Sequence, residues 1–434
     1  MNLRSVLWNS LSSLEQHALL ERPAQRNADA VAAGARQIIE RVRRDGDSAL
    51  IELTEKFDAV RLESLKVSAA EFRAADAALS SEQHAALERA IAAVTAFHAA
   101  QKPQPLRVET TPGVVCERIS VPIRAVGLYV PAGSAPLPST AVMLAVPAAI
   151  AACPTRIMCT PPGRDAAANP AVLVAAQKAG VEQVFKVGGA QAVAAMAYGT
   201  ASIAKCDKIF GPGNAWVTAA KLLVAQDSGG AAADLPAGPT EVMVIADADA
   251  DPGFVAADLL AQAEHSVDAQ ALLLTPSLKL AEDTARELAR QAPLLSRGTI
   301  LRESMRSIRL IVTDNLETSF EIANAYAPEH LLLEIREARD WLPKVTAAGA
   351  VFLGHWSPES IGDYCGGPNH TLPTYGYARC YSGLCLEDFQ KRISVSELSC
   401  DGLKQLGPTA QVLARLEGLD AHAAAVSIRL AALA

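Results

Sequence analysis

The sequence predicts an α/β fold, with two incomplete, Rossmann-like doubly wound units on parallel sheets, a helical N-terminal segment and a small C-terminal region. Three observations predict it. Short apolar runs alternate with amphipathic runs of roughly ten to fifteen residues through the middle of the chain, which is the pattern of βαβ units around a parallel sheet. The Gly/Pro/Ala-rich stretch SGGAAADLPAGPTE near residue 235 interrupts that alternation, so it separates two series. At 434 residues the chain also exceeds what one ordinary core organises.

Residues up to about 101 carry apolar side chains at three- and four-residue spacing in VAAGARQIIERVRR, DSALIELTEKFD and SSEQHAALERAIAAVTAFHAAQ, which predicts helices. From Val114 the period changes. GVVCERISVPI and AVGLYVPAG are expected strands, followed by a helix around Ser139 to Ala152 and the strand TRIMCTP. Four strand and helix pairs come next: VFKVGG with AQAVAAMAYG, DKIFGPG with NAWVTAAKLLVAQ, EVMVIAD with DPGFVAADLLAQAEH, and QALLLTP with LKLAEDTARELARQA. SIRLIVT, HLLLEI and AGAVFLG add further strands, and the Gly-rich loop ESIGDYCGGPNHTLPTYGYA precedes a polar, less regular tail with a final helical segment.

Composition narrows the function. A net charge of −8 and no basic stripe argue against nucleic acid as a partner. No span approaches about 18 uninterrupted apolar residues, and the start lacks the apolar run of a signal peptide, so a soluble, cytoplasmic protein without a membrane partner is expected. Eight cysteines stand singly, with no Cys-x-x-Cys pair, which suits free thiols in a reducing compartment. Cys365, two residues from Asp363, is the one placed nearest candidate chemistry.

Several residues could carry chemistry, each with a plainer alternative. Gln262 and His265 lie three apart at a helix end and could hold a metal from one face, or His265 could simply complement the helix dipole. Asp363 sits in a glycine-rich loop, where it could act on a ligand or satisfy turn amides. Gly418 should stop one helix and Asp420 should cap the next, leaving His422 in its first turn as a neutral imidazole or an ordinary exposed one. The same break lets Glu417 and His422 converge. Glu329 and His330 join a helix, ended by Pro328, to a strand; adjacent residues of extended chain face opposite ways, which favours two separate proton-transfer roles or an exposed pair. Gly188-Gly189 and Gly211-Pro212-Gly213 each follow a strand and open a helix, where backbone amides receive anions, but neither completes a G-x-G-x-x-G fingerprint.

Together and in order, FGPGNAWVTAAK, DLPAGPTEVMVIAD, DLLAQAEH, YAPEHL and GGPNHTLPT resemble the histidinol dehydrogenase family, over nearly the whole chain. The resemblance implies a zinc-containing, NAD-dependent homodimer with a shared active site, one zinc per subunit, that oxidises L-histidinol through the aldehyde to L-histidine. By that resemblance Gln262, His265, Asp363 and His422 are the zinc ligands, with His422 supplied by the neighbouring subunit. His330 becomes the base for the alcohol proton and Glu329 the activator of water. Thr240, His370 and Glu417 join the zinc ligands and His330 as substrate contacts, while Tyr129, Gln191 and Asn214 match NAD contacts. The expected division is residues 1–128 with 236–378 as one α/β domain, 129–235 as the second, and 379–434 as a small dimer-exchanging region. Trp216 and Thr240 replace residues more usual at their positions, and neither touches the implied metal set.

Two rivals fit parts of the pattern. A zinc-dependent hydrolase of a small amide-containing substrate could use the same donors, but no compact H-E-x-x-H ligand run is present. A nucleotide-binding regulatory subunit would explain the α/β pattern and leave Gln262, His265, Asp363, Glu329 and His330 unused.

Overall fold

Strands buried on both faces must be apolar throughout, whereas half-exposed ones alternate, and both kinds occur here. The structure, a computed structural model, describes residues 3–22, 28–132 and 135–434. Among the described residues the strands run in chain order as β1 (Ser5–Leu7), β2 (Leu106–Thr111), β3 (Val114–Pro122), β4 (Ala125–Tyr129), β5 (Thr155–Thr160), β6 (Gln183–Lys186), β7 (Lys208–Phe210), β8 (Ala232–Ala233), β9 (Glu241–Ala246), β10 (Gln270–Thr275), β11 (Arg309–Val312), β12 (His330–Glu334), β13 (Ala350–Leu353) and β14 (Gln390–Leu398). They form a six-stranded sheet in the order β1-β11-β10-β9-β12-β13, a five-stranded sheet in the order β6-β5-β4-β7-β8, and a three-stranded sheet in the order β14-β3-β2. The first two are parallel throughout and the third antiparallel.

Each parallel sheet has a core on both faces, assigned by the two-residue period of its strands. Val242 and Val244 of β9 pack into one cluster, and Met243 and Ile245 into the opposite one. In the other sheet Val126 and Leu128 of β4 face one layer while Ile157 and Cys159 of β5 face the second. The doubly wound topology expected from the alternating runs is therefore present twice. In the five-stranded sheet the chain runs outward through β4, β5 and β6, then returns to place β7 on the other side of β4. In the six-stranded sheet β9, β10 and β11 run outward and β12 returns beside β9. The chain reverses direction at β4/β7 and at β9/β12.

The N-terminal helices sit differently from the expected division. Ala35, Ile39, Leu50 and Leu53 pack on one face of the five-stranded sheet, and Phe72, Ala75 and Val94 join the core of its other face. Their apolar stripes thus cover the 129–235 unit, leaving only the first segment, through β1, with the six-stranded sheet. The expected boundary between residues 128 and 129 cuts β4, a central strand buried along its whole length.

The tail after residue 379 is more regular than its polarity suggests. Strand β14 pairs with β3 over nine positions, from Gln390 opposite Pro122 to Leu398 opposite Val114. Helices Cys400–Leu416 and Asp420–Ala431 follow as a hairpin broken at Gly418, whose φ of 71° is the left-handed stop expected there. Asp420 is the first helical residue rather than the cap; Leu419 holds that position with no side-chain bond. All eight cysteines are free thiols. No helix among the described residues is long and apolar enough to cross a membrane.

Candidate active site

Open parallel sheets usually present ligands at the carboxyl ends of their strands, but the polar cluster here lies at the opposite edge of the six-stranded sheet. Glu241 begins β9 and Thr240 immediately precedes it, while His330 begins β12, the strand beside it, and Glu329 immediately precedes that. Glu241 organises the pair through its own peptide. Its N–H donates to Glu329 Oε2 at 2.8 Å, and its carbonyl oxygen lies 3.1 Å from His330 Nδ1. A carbonyl only accepts, so Nδ1 carries a proton, and in the neutral ring the lone pair is on Nε2. Thr240 Oγ1 also donates to Glu329 Oε2, at 2.7 Å, and Gln262 Nε2 donates to that hydroxyl.

The two side chains do not diverge as strand alternation implied. Glu329 Oε2 and His330 Nδ1 are 3.6 Å apart, because β12 starts only at His330 and Glu329 is not yet part of the alternating strand. Both are buried. Burial raises the Glu329 carboxyl to about 7 against the opposing pull of His330, Thr240 and the Glu241 amide. Burial works to lower His330, but the carboxylates of Glu359, Glu329 and Asp363 around it prevail and hold its pKa well above the usual range. Glu359 Oε1 is 3.7 Å from Nδ1, and Asp363 Oδ1 is 3.7 Å from Nε2.

A donor set converges beside this pair. His265, Glu359 and Asp363 each offer an atom within 4.8 Å of the others. Burial keeps His265 below the ordinary imidazole range, and it keeps His370 low as well. Asp363 would be raised by burial, yet the imidazoles of His330, His370 and His265 hold it low. Gln262 Oε1 and His330 Nε2 are buried without a hydrogen-bond partner, and so is Glu359 Oε2. Such orphaned acceptors carry a desolvation cost that a bound cation or polar ligand would offset.

The local structure explains the convergence. Helix Pro252–Ala263 ends at Ala263, so His265 lies past the C-cap rather than on the helix face, tied back by its N–H to the Gln262 carbonyl at 3.2 Å. Asp363 lies in the short helix Glu359–Tyr364, not in a loop. Four-residue spacing on that helix places Glu359 and Asp363 on one face. Glu359 was not among the residues expected at the site, although its four-residue spacing from Asp363 in SPESIGDYC is visible in the sequence. His370 Nε2 lies 3.2 Å from Thr140 Oγ1, a second residue not anticipated.

That last contact joins the two sheets. Thr140 is in the first turn of helix Pro138–Ile150, which follows β4, and Asn369 Nδ2 donates to the Met143 carbonyl at 2.7 Å. Thr218, in the first turn of helix Ala215–Gln226 after β7, donates to the Ala237 carbonyl. The carboxyl edge of the five-stranded sheet therefore meets the amino edge of the six-stranded sheet, with the cluster close by. Tyr129 ends β4, Gln191 is in the first turn of helix Gly189–Tyr198, and Asn214 caps helix Ala215–Gln226, so all three lie at that carboxyl edge. The Tyr129 hydroxyl accepts from Gly189 N–H at 3.0 Å, and burial pushes it up to about 12.

Glu417 and His422 are not brought to the cluster. Both are exposed, on the C-terminal helical hairpin, and His422 is outside the group formed by His265, Glu359 and Asp363. Leu413, Leu416 and Ile428 on the same hairpin are also exposed, Leu416 by 78%.

The family model for histidinol dehydrogenase matches residues 20–430. A histidinol dehydrogenase of Vibrio parahaemolyticus is 52% identical over 427 residues, 98% of each chain. One from Xanthomonas campestris is 54% identical over 428 residues, 99% of each. The crystal structure of histidinol dehydrogenase from Elizabethkingia anophelis superimposes with a TM-score of 0.93 at 43% identity, covering 100% of this chain and 99% of the other.

Proposed function

The chain belongs to the histidinol dehydrogenase family of NAD-dependent oxidoreductases, which act in histidine biosynthesis, and from that premise we propose that it oxidises L-histidinol through L-histidinal to L-histidine with two successive NAD. The observation that carries this reading is the Glu241 peptide, which holds a carboxylate on its N–H and an imidazole on its carbonyl. Two proton acceptors of different chemistry thereby stand at one site, as two different oxidations require.

In the first oxidation the neutral ring of His330, with Nδ1 held by the Glu241 carbonyl, takes the hydroxyl proton at Nε2 as hydride leaves the carbon that bears the hydroxyl. In the second, Glu329 takes a proton from water as the water oxygen adds to the aldehyde carbon; the resulting hydrate anion loses hydride to give the acid, which releases a second proton as the carboxylate. A carboxyl raised to about 7 is suited to that exchange near neutral pH. Tyr129, Gln191 and Asn214, at the carboxyl ends of β4 and its neighbours, would hold NAD, which when bound would supply the hydride acceptor.

The buried acceptor of Gln262 and the converging atoms of His265 and Asp363 fit a divalent cation. Zinc there would orient the substrate's nitrogen donors and offset the carboxylate field around His330. The remaining ligand, His422, and the substrate contact Glu417 are assigned to the partner in a cytoplasmic homodimer, since neither reaches the cluster of its own chain. Thr240 and His370, at the edge of the cluster, complete the substrate contacts.

Adding histidinol to zinc-loaded protein with excess NAD should raise NADH absorbance, with two NADH per histidinol consumed. Chelation should abolish that rise and leave NAD binding in place. No NADH from zinc-loaded protein would overturn the assignment.

A further inference from the structure

The switch point between β4 and β7 is bounded by the loop that leaves β7, Gly211 to Asn214, and a buried ion pair holds that loop. Lys221 lies on helix Ala215–Gln226 and Asp234 just past β8. Their charged ends are in contact, with side chains only 4% and 1% exposed. Both partners also bond to a single residue. Gly211 N–H donates to Asp234 Oδ2 at 2.8 Å, and the Gly211 carbonyl accepts from Lys221 Nζ at 2.8 Å. Gly211 has a φ of 121°, a region reserved for glycine, and a Cβ there would collide with the Tyr129 carbonyl oxygen. The loop is therefore pressed on the end of β4 and fixed from three sides.

Buried ion pairs add little net stability, because desolvation offsets most of the attraction. What this one supplies is orientation. A cation and an anion aimed at the two polar groups of one glycine set the direction of its peptides, and in a low-dielectric interior such bonds are stiff. Three residues on, Asn214 Oδ1 accepts from the Trp216 and Val217 amides at 3.1 and 3.2 Å, fixing the start of the helix that carries Lys221 itself. Lysine, loop and helix cap close into one ring.

We propose that Lys221 and Asp234 are positioning residues for the dinucleotide: by locking Gly211 they set the gap between the β4 and β7 loops and preorganise the loop that receives the anionic part of NAD. This rests on the reading that NAD binds at the β4/β7 switch point. The pair touches none of the candidate metal donors, so its removal affects the dinucleotide and not the histidinol side.

The test uses zinc-loaded, full-length Lys221→Met, Asp234→Asn and Lys221→Arg, with NAD affinity from tryptophan fluorescence and both KM values from steady-state rates. Lys221→Met and Asp234→Asn should each raise Kd and KM for NAD about tenfold or more, while KM for histidinol moves less than about twofold. Lys221→Arg, which keeps the charge, should recover part of the loss. Unchanged NAD affinity in folded Lys221→Met overturns the proposal, as does an equal rise in both KM values. If Lys221→Met does not fold, Asp234→Asn, which preserves volume, decides by the same split. Wild-type protein that binds no NAD would instead sink the underlying reading.

Discussion

Glu241 shows how much of the site depends on one residue's surroundings. Its peptide holds Glu329 and His330, and its buried carboxylate is gripped by Arg22 at 2.6 and 3.0 Å and by the Tyr375 N–H at 2.9 Å. The N-terminal segment thus anchors the strand start on which the proposed proton acceptors hang. Because the two acceptors bond to opposite ends of the Glu241 residue, their removal should have separable effects. His330→Asn should slow histidinol oxidation by roughly a hundredfold to ten-thousandfold, the range of general base catalysis. Glu329→Gln should leave the first hydride transfer within about tenfold and impose the larger loss on histidinal oxidation. Single-turnover NADH formation from each substrate distinguishes them, and equal losses on both substrates would refute the division of labour.

At the scale of elements, the central strands were legible because burial on both faces demands the continuous apolar runs of EVMVIAD, QALLLTP and HLLLEI. Strand β14 was not, since QKRISVSEL is mostly exposed and its partner β3 lies far back in the chain. The site was legible in its residues and illegible in its geometry. Nothing local shows that Glu329 and His330 converge, because the peptide that gathers them belongs to a different strand. Asp258 escaped for a similar reason, as its burial is set by a helix packing on the sheet, whereas Glu359 was signalled by its four-residue spacing from Asp363. Asp258, on helix Pro252–Ala263, is pushed up to about 7 by burial and then by Glu334 at the end of β12. A carboxyl raised above its unfolded value favours the folded state while protonated, so its penalty is absent below about pH 4 and fully present above about pH 7. Asp258→Asn, an isostere of the protonated form, should therefore stabilise more at pH 8 than at pH 5, by at most about 3 kcal/mol. Urea unfolding at the two values measures it, and a pH-independent difference would mean that Asp258 is ionised throughout.

Across the whole molecule, one sheet contributes its amino edge and the other its carboxyl edge, so the site proposed here needs both. It also needs something neither supplies. The exposed Leu106, Val108, Ile119, Ile393 and Leu398 on the three-stranded sheet, with Leu413, Leu416 and Ile428 on the hairpin, leave the arm that carries His422 with an apolar surface facing solvent in the single chain. Exposed apolar side chains of this kind are what the proposed two-fold dimer would bury, twice over by one set of contacts. In the proposed dimer each site joins His265 of one chain to His422 of the partner subunit. His265→Asn and His422→Asn homodimers should then both be inactive. In a mixed dimer, one site combines both substitutions and the other has neither. Random reassociation of equal amounts makes half the dimers mixed, so activity should return to about a quarter of wild type. Unfolding and refolding the two variants together, with mixed dimers verified by differential tags, provides the measurement, and mixed dimers without activity would place His422 outside the partner's site.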